Sequence, residues 1–128
     1  MKKSDKNNIK SEPSQITTET KKKKREAKNE FRFNRATAHY DYVFEDDGAK
    51  YSSLGLTHSP KTFNKPNMPL EKNPRKNHTE KAYIRNGYNR KAHKYYGKIQ
   101  KDFAFSPTDF ANVKAKIRAY KKNRKKNK

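Results

Sequence analysis

Cysteine is missing from all 128 residues of this chain, so neither a disulfide framework nor a thiolate zinc site is open to it. Apolar residues are scarce at 29%, far below the globular norm, which limits the chain to a small core. No apolar run approaches the ~20 residues that span a bilayer, and the Lys-rich start lacks the apolar segment of a signal peptide. A cytoplasmic protein without a membrane span is therefore expected. No glycine-rich phosphate loop and no Ser/His/Asp arrangement occurs. His39, His58, His78 and His93 fall about fifteen to twenty positions apart, without the close spacing of a ligand set, so no metal site is expected, and no cofactor either.

Negative charge is the remaining scarcity. Asp and Glu number 13 against 34 Lys and Arg, for a net charge of +21 and a pI near 10.1. Such a chain repels itself unless a polyanion neutralises it, and nucleic acid is the commonest polyanion a small protein meets. An anionic membrane surface is the rival partner. Aromatic residues, at 12%, argue against disorder throughout.

The pattern along the chain predicts one small α+β domain over residues 38–120. A basic, disordered arm is expected at 1–37 and a basic tail at 121–128. Met1 to Thr20 is polar without apolar period, and Lys21 to Arg25 is a run of like charge. Phe31 and Phe33 mark either a short strand or an arm docked on the domain. Tyr40 to His58 reads as a β-hairpin about an acidic turn, and it is an acidic island: Ala36 to Pro60 holds one base, Lys50, against four acids. A polyanion should avoid its tip. A two-residue Asp47-Gly48 loop would set Leu54 opposite Asp41. A three-residue loop, Asp46 to Gly48 with a left-handed glycine, pairs even with even positions and is preferred, because it gathers Tyr40, Tyr42, Phe44, Leu54 and Leu56 on one face.

Further strands are expected near 67–71, 81–85 and 102–105, completing an antiparallel sheet, with a basic-aromatic loop or hairpin arm from Tyr88 to Tyr96. Ser106, Pro107 and Asp109 open a helix, and Phe110, Val113, Ile117 and Tyr120 make its buried stripe. Lys114, Arg118, Lys121 and Lys122 fall largely off that stripe, where they are free to seek phosphate.

Between Lys81 and Lys101 cations alternate with aromatics: Lys81, Tyr83, Arg85, Tyr88, Arg90, Lys91, Lys94, Tyr95 and Tyr96. Cations neutralise phosphate while aromatic faces stack on unpaired bases, which suits RNA or single-stranded nucleic acid. The plain alternative is an ordinary strand with buried tyrosines and solvated lysines. Lys22, Lys23, Lys24 and Arg25, with the carboxy-terminal run, would add sequence-independent, salt-sensitive affinity. His58, with Lys61, Thr62 and Arg85, supplies the residue types that metal-independent RNA cleavage requires: a group titrating near neutrality and cations around the phosphate. Its bland counterpart is a strand-end histidine bonded to a neighbouring turn.

The runs Leu54-Gly55-Leu56-Thr57-His58-Ser59-Pro60-Lys61-Thr62, Asn67-Met68-Pro69-Leu70-Glu71-Lys72-Asn73-Pro74 and Lys81-Ala82-Tyr83-Ile84 resemble a group of small basic bacterial proteins of phages and mobile elements. That group is in turn similar to the barnase/EndoU/RelE-like ribonucleases, which set a small sheet beside a helix and cut RNA without metal. The resemblance implies that His58 and Thr62 match loop residues of that family and Arg85 its strand cation. Three functions follow as expectations: a nucleic-acid-binding protein favouring RNA over DNA, a toxin-like metal-independent endoribonuclease, or a structural component of a virion or ribosome-associated assembly. A protein partner, such as an antitoxin or a larger assembly, would accompany the last two.

Overall fold

The hairpin at the centre of the sequence is also the centre of the sheet. The structure, a computed structural model, describes residues 25–126. Strands β1 (Glu26–Asn34), β2 (His39–Asp46) and β3 (Lys50–Thr57) form an antiparallel meander. The free edge of β3 is covered in two halves: β8 (Asn89–Ala92) pairs Lys50 to Ser53, and β7 (Tyr83–Ile84) pairs Leu56 and Thr57. Strand β6 (Met68–Pro69) extends β7, and β9 (Tyr96–Ile99) covers the free edge of β1. A separate small hairpin joins β4 (Lys61–Thr62) to β5 (Lys65–Pro66). Helix α1 (Pro107–Lys126) ends the described chain.

The sheet rolls. Strands β9 and β3 stand three places apart in the order β9-β1-β2-β3, a separation of ~14 Å in a flat sheet. Yet the Tyr96 hydroxyl lies 2.8 Å from Ser53 Oγ, and the Tyr51 and Tyr96 rings meet edge to face at 5.1 Å. One 3-10 turn, His93–Tyr95, carries the chain from β8 on one edge to β9 on the other. The concave face is polar. Asp41 is fully buried there, and its Oδ2 accepts from Asn34 Nδ2 (2.9 Å), Ser53 Oγ (2.6 Å) and Asn89 Nδ2 (2.9 Å).

The other face holds the apolar core. Phe31, Tyr42, Phe44, Leu54 and Ile84 pack with Leu70, Ala82 and the helix residues Val113 and Ile117, with Phe110 and Tyr120 at the margin. The expected α+β class, the aromatic face of the hairpin and the helical stripe are therefore all present. Ser106 caps the helix, its Oγ accepting from the Asp109 N–H at 3.1 Å. Asp109 has a different task from the one its spacing suggested: buried, it accepts the Glu71 and Lys72 N–H groups at 2.9 and 3.2 Å, clamping the chain after Leu70 to the helix start.

Several boundaries differ from expectation. The domain begins at Glu26 instead of residue 38, because Phe31 is a core residue stacked on Phe103 and tilted against Tyr42 and Phe105, so the presumed arm supplies a strand inside the sheet. The strands expected at 67–71 and 81–85 shrink to Met68–Pro69 and Tyr83–Ile84, and 102–105 is reduced to a single bridge, Arg75 to Phe103. Tyr88 to Tyr96, expected as a loop or hairpin arm, holds β8 and the first residue of β9, two strands that lie on opposite edges. At the hairpin tip Asp46 pairs with Tyr51 and Glu45 with Ser52, odd against even. A bulge at Phe44 then restores even pairing at Tyr42 and Leu54. The tip is longer than expected because Asp46 and Asp47 each fold it: Asp46 Oδ1 accepts from the Gly48 N–H, and Asp47 Oδ1 from those of Ala49 and Lys50. Gly48 takes the expected positive φ, 95°.

The bulge has a consequence. Phe44 meets Tyr120, and the adjacent Glu45 also reaches the helix, where its buried carboxylate takes Arg124 at 2.8 Å, Lys121 at 3.6 Å and Arg25 at 3.5 Å. The expected tail at 121–128 is thus helix to Lys126, held by a charge in the hairpin. Asp46 binds His93 at 2.8 Å and Asp47 binds Arg90, so the acidic island is neutralised from within the protein.

Arg124→Ala should lower stability by about 1–3 kcal/mol in urea unfolding, since a charge-assisted bond to a buried carboxylate is lost. Acid should act through the same island. Burial opposes ionisation of Asp47, but the Lys50 and Ala49 N–H groups and the Arg90 guanidinium outweigh it and hold its pKa at about 2, below the usual 3.8. Glu45 is lowered against its burial by Arg124, Lys121 and Arg25, and Asp46 against its own by the Gly48 N–H and His93. A depressed native pKa stabilises above the unfolded value. The Asp47 contribution is therefore complete above about pH 4 and fades as the pH falls toward 2, and the thermal midpoint of Asp47→Asn should depend less on pH across that window.

Candidate functional site

Where β1 turns into β2, the sheet end, the residues after β3 and the segment 73–80 enclose a cleft of about 350 Å³. Its apolar wall is Phe33, Tyr40, Leu56, Ala82 and Phe103, and its polar groups are His39, His58, His78, Arg75 and Glu80. The Asn34 side chain and carbonyl hold the turn into β2, accepting from the Ala36 and Ala38 N–H groups, and Ala38 adopts a positive φ of 61°. Segment 73–80 is tied at both ends. Asn73 Oδ1 accepts from the Arg75 N–H at 2.9 Å and its Nδ2 donates to the Glu80 carbonyl at 2.9 Å. The Lys76 and Ala104 N–H groups bond across to Asp102 and Pro74.

Arg75 is held by its surroundings. Its guanidinium lies 5.2 Å from the Tyr40 ring centre and 5.6 Å from that of Phe103, and Nε is 3.7 Å from Asp102 Oδ2. His58 Nδ1 is 3.0 Å from the Lys81 carbonyl. A carbonyl only accepts, so Nδ1 carries the proton and Nε2 is the basic nitrogen of the neutral ring. Glu80 Oε1 is 3.5 Å from His78 Nδ1. The Glu80 carboxyl is lowered from its usual pKa by its own backbone N–H, with His78 and His58 adding to the effect. The cleft can therefore present cationic and proton-transferring groups against aromatic surface. No group of three or more His, Cys, Asp or Glu side chains among the described residues is arranged to hold a metal ion.

Of the residues expected to work with His58, none lines this cleft. Arg85 bonds backbone to backbone with Gly55 inside β3, three positions before His58, which lies beyond the end of that strand. Arg85 and Thr62 line a second groove, of about 230 Å³, with Gly55, Phe63, Asn86 and Asn89. Lys61 stands exposed on the small β4–β5 hairpin. Sequence reasoning missed His39, His78 and Arg75 because they are far apart in the chain. Their only local signal is the turn chemistry of Asn73 and Asn77, the latter with a positive φ of 65°.

The basic-aromatic series divides. Tyr96 is buried, its hydroxyl bonded to Ser53. Tyr88 is half-buried, stacked on Tyr120 at 4.2 Å with its hydroxyl donating to the Lys116 carbonyl. Neither ring is free to stack on a base. Burial accordingly pushes the Tyr96 phenol up to about 12. Tyr83 is partly exposed under Lys81, and Tyr95 is exposed under Lys94. Arg25, Arg90 and Lys121 are engaged with the hairpin acids, and Lys114 lies over Phe110. Lys91, Arg118 and Lys122 are exposed. Lys22, Lys23 and Lys24 lie outside the described residues.

Comparison with known protein families, curated proteins and solved structures finds no match for this chain. Among the described residues, no helix is long and apolar enough to cross a membrane.

The His58 geometry is open to a direct check. Long-range nitrogen–proton NMR should find its neutral ring protonated at Nδ1, and replacing Lys81 should leave that tautomer in place because the acceptor is a backbone carbonyl.

Proposed function

We propose that this protein binds nucleic acid, with RNA favoured over DNA, and that the histidine-lined cleft is a contact site. The observation that carries the reading is the convergence of Arg75, His39, His58 and His78 on an aromatic wall, in a chain whose net charge is +21. Guanidinium and imidazolium groups meet phosphate, and aromatic edges meet unpaired bases. A cleft of about 350 Å³ suits a single nucleotide of a strand more than the side of a duplex. Exposed Lys91, Arg118 and Lys122 add positive charge elsewhere on the surface.

A second reading, a metal-independent endoribonuclease, is favoured by the sharing of one cleft by three imidazoles. In that reaction His58 Nε2 takes the proton of a ribose 2′-hydroxyl, whose oxygen bonds to phosphorus. The bond to the 5′-oxygen breaks, and a second imidazolium protonates the leaving oxygen. The products are a 2′,3′-cyclic phosphate and a 5′-hydroxyl.

One set of titrations tests both readings. Labelled single-stranded RNA and duplex DNA are titrated in chelator at several salt concentrations, and the RNA is then run on a denaturing gel. Tighter binding to the single strand, with affinity falling steeply with salt, is the expected result. Arg75→Ala should reduce the slope of log K against log salt by about one. Equal binding to both nucleic acids would remove the preference for RNA, and absence of binding at low salt would remove the function. Intact RNA supports the binding role alone, whereas cyclic ends that disappear in His58→Ala would establish the second.

A further inference from the structure

The β4–β5 hairpin presents the most exposed large apolar side chain among the described residues. Thr62 pairs with Lys65, leaving Phe63 and Asn64 as the two turn residues, with φ of 54° and 63°. Such turns take Asn, Asp or Gly, and a bulky residue at positive φ is strained. Phe63 is 86% exposed, so no burial of its ring offsets that strain.

The strained turn rests on a buried support. Asn86 Nδ2 donates to the carbonyls of Thr62 and Lys65, each at 3.0 Å, which span the turn. Buried Asn67 accepts the Asn86 N–H at 2.9 Å and donates to Ser59 O and Thr62 Oγ1, both at 2.9 Å. Rigid support for a side chain that buries almost none of itself points to a ligand. The ring also borders the second groove, where the stem of Arg85 lies across Gly55. A Cβ at Gly55 would stand 3.0 Å from Arg85 Cδ, so the glycine leaves room for the arginine to lie this close. No carboxylate among the described residues pairs with Arg85, Lys61 or Lys65, and the two lysines are exposed on either side of Phe63.

We propose that Phe63 is a stacking platform for one unpaired nucleobase, with Arg85, Lys61 and Lys65 taking the phosphates beside it. This rests on the nucleic-acid reading and names a second contact, on a different groove from the histidine cleft. The flanking positive charge is what selects a nucleotide as the occupant over an apolar one.

The test uses the full chain and a short single-stranded RNA. The sequence contains no tryptophan, so Phe63→Trp introduces a single indole reporter. Its fluorescence should be quenched by RNA, while heparin, a polyanion without bases, should bind and leave it unchanged. Phe63→Asn should weaken RNA binding roughly 5- to 150-fold without altering the salt slope, because a stacking surface is lost and no cation is. Its thermal midpoint should equal or exceed that of the wild type, since asparagine suits the positive φ, so loss of fold would not explain the loss of affinity. Wild-type RNA affinity in Phe63→Asn would overturn the platform and leave the nucleic-acid reading standing. So would a variant that keeps RNA affinity but loses self-association or binding to anionic vesicles. Failure of the wild type to bind RNA at all would overturn both.

Discussion

Glu45 is the charge that the basic parts of this protein fold around. Its carboxylate is buried, and a buried anion is tolerated only where cations and hydrogen-bond donors surround it. Here they come from three directions: Arg25 at the start of β1, and Lys121 and Arg124 on the last turns of the helix. Asp46 and Asp47 extend the arrangement to His93 and Arg90. The acidic hairpin therefore acts as a local counterion for the cations packed against it, in a chain whose net charge remains +21. It also selects which cations remain outside for a partner.

The same hairpin divides the molecule into two faces. Up to the bulge, Tyr42, Leu54 and Leu56 lie on the aromatic core side, while Asp41 and Ser53 face the concave side, where Asp41 gathers Asn34, Ser53 and Asn89; past it, Phe44 and Glu45 both reach the helix. That polar network ties β1, β2, β3 and β8 together, and the Tyr96 hydroxyl on Ser53 brings in β9. A network of this kind specifies one arrangement of the strands, because each member left unpaired would be costly. The sheet is thereby rolled, and residues at its end close over the cleft that holds His39, His58 and His78.

The chemistry exposed at the surface lies in two separated places. One is the histidine-lined cleft with its guanidinium held between Tyr40 and Phe103. The other is the groove beside Phe63, with Arg85 laid across Gly55. His58 and Arg85 line different grooves, so the set of residues the sequence grouped around one phosphate is divided between two places. Each sets basic side chains beside aromatic surface, the combination on which the proposed nucleic-acid contact rests.

Charge class, the hairpin face and the helix were determined by the sequence itself, because each depends on local period or on a sum over residues. Tyr42 and Leu54 share a face through the alternation of a strand, and Val113 and Ile117 through the turn of a helix, whatever surrounds them. Tertiary structure decided the rest. Glu26 to Asn34 could be read as an arm or, at Phe31 and Phe33, as a short strand, and it became a nine-residue strand because those rings and Asn34 found distant partners. Tyr88 and Tyr96 could be read as base platforms or as buried tyrosines, and tertiary packing chose the second, where each hydroxyl is satisfied. His58 could be picked out from its place at the end of a strand. Its companions could not: His39, Arg75 and His78 reach it only through the roll of the sheet and the bridge at Phe103, contacts between residues too far apart in the chain for any local pattern to encode.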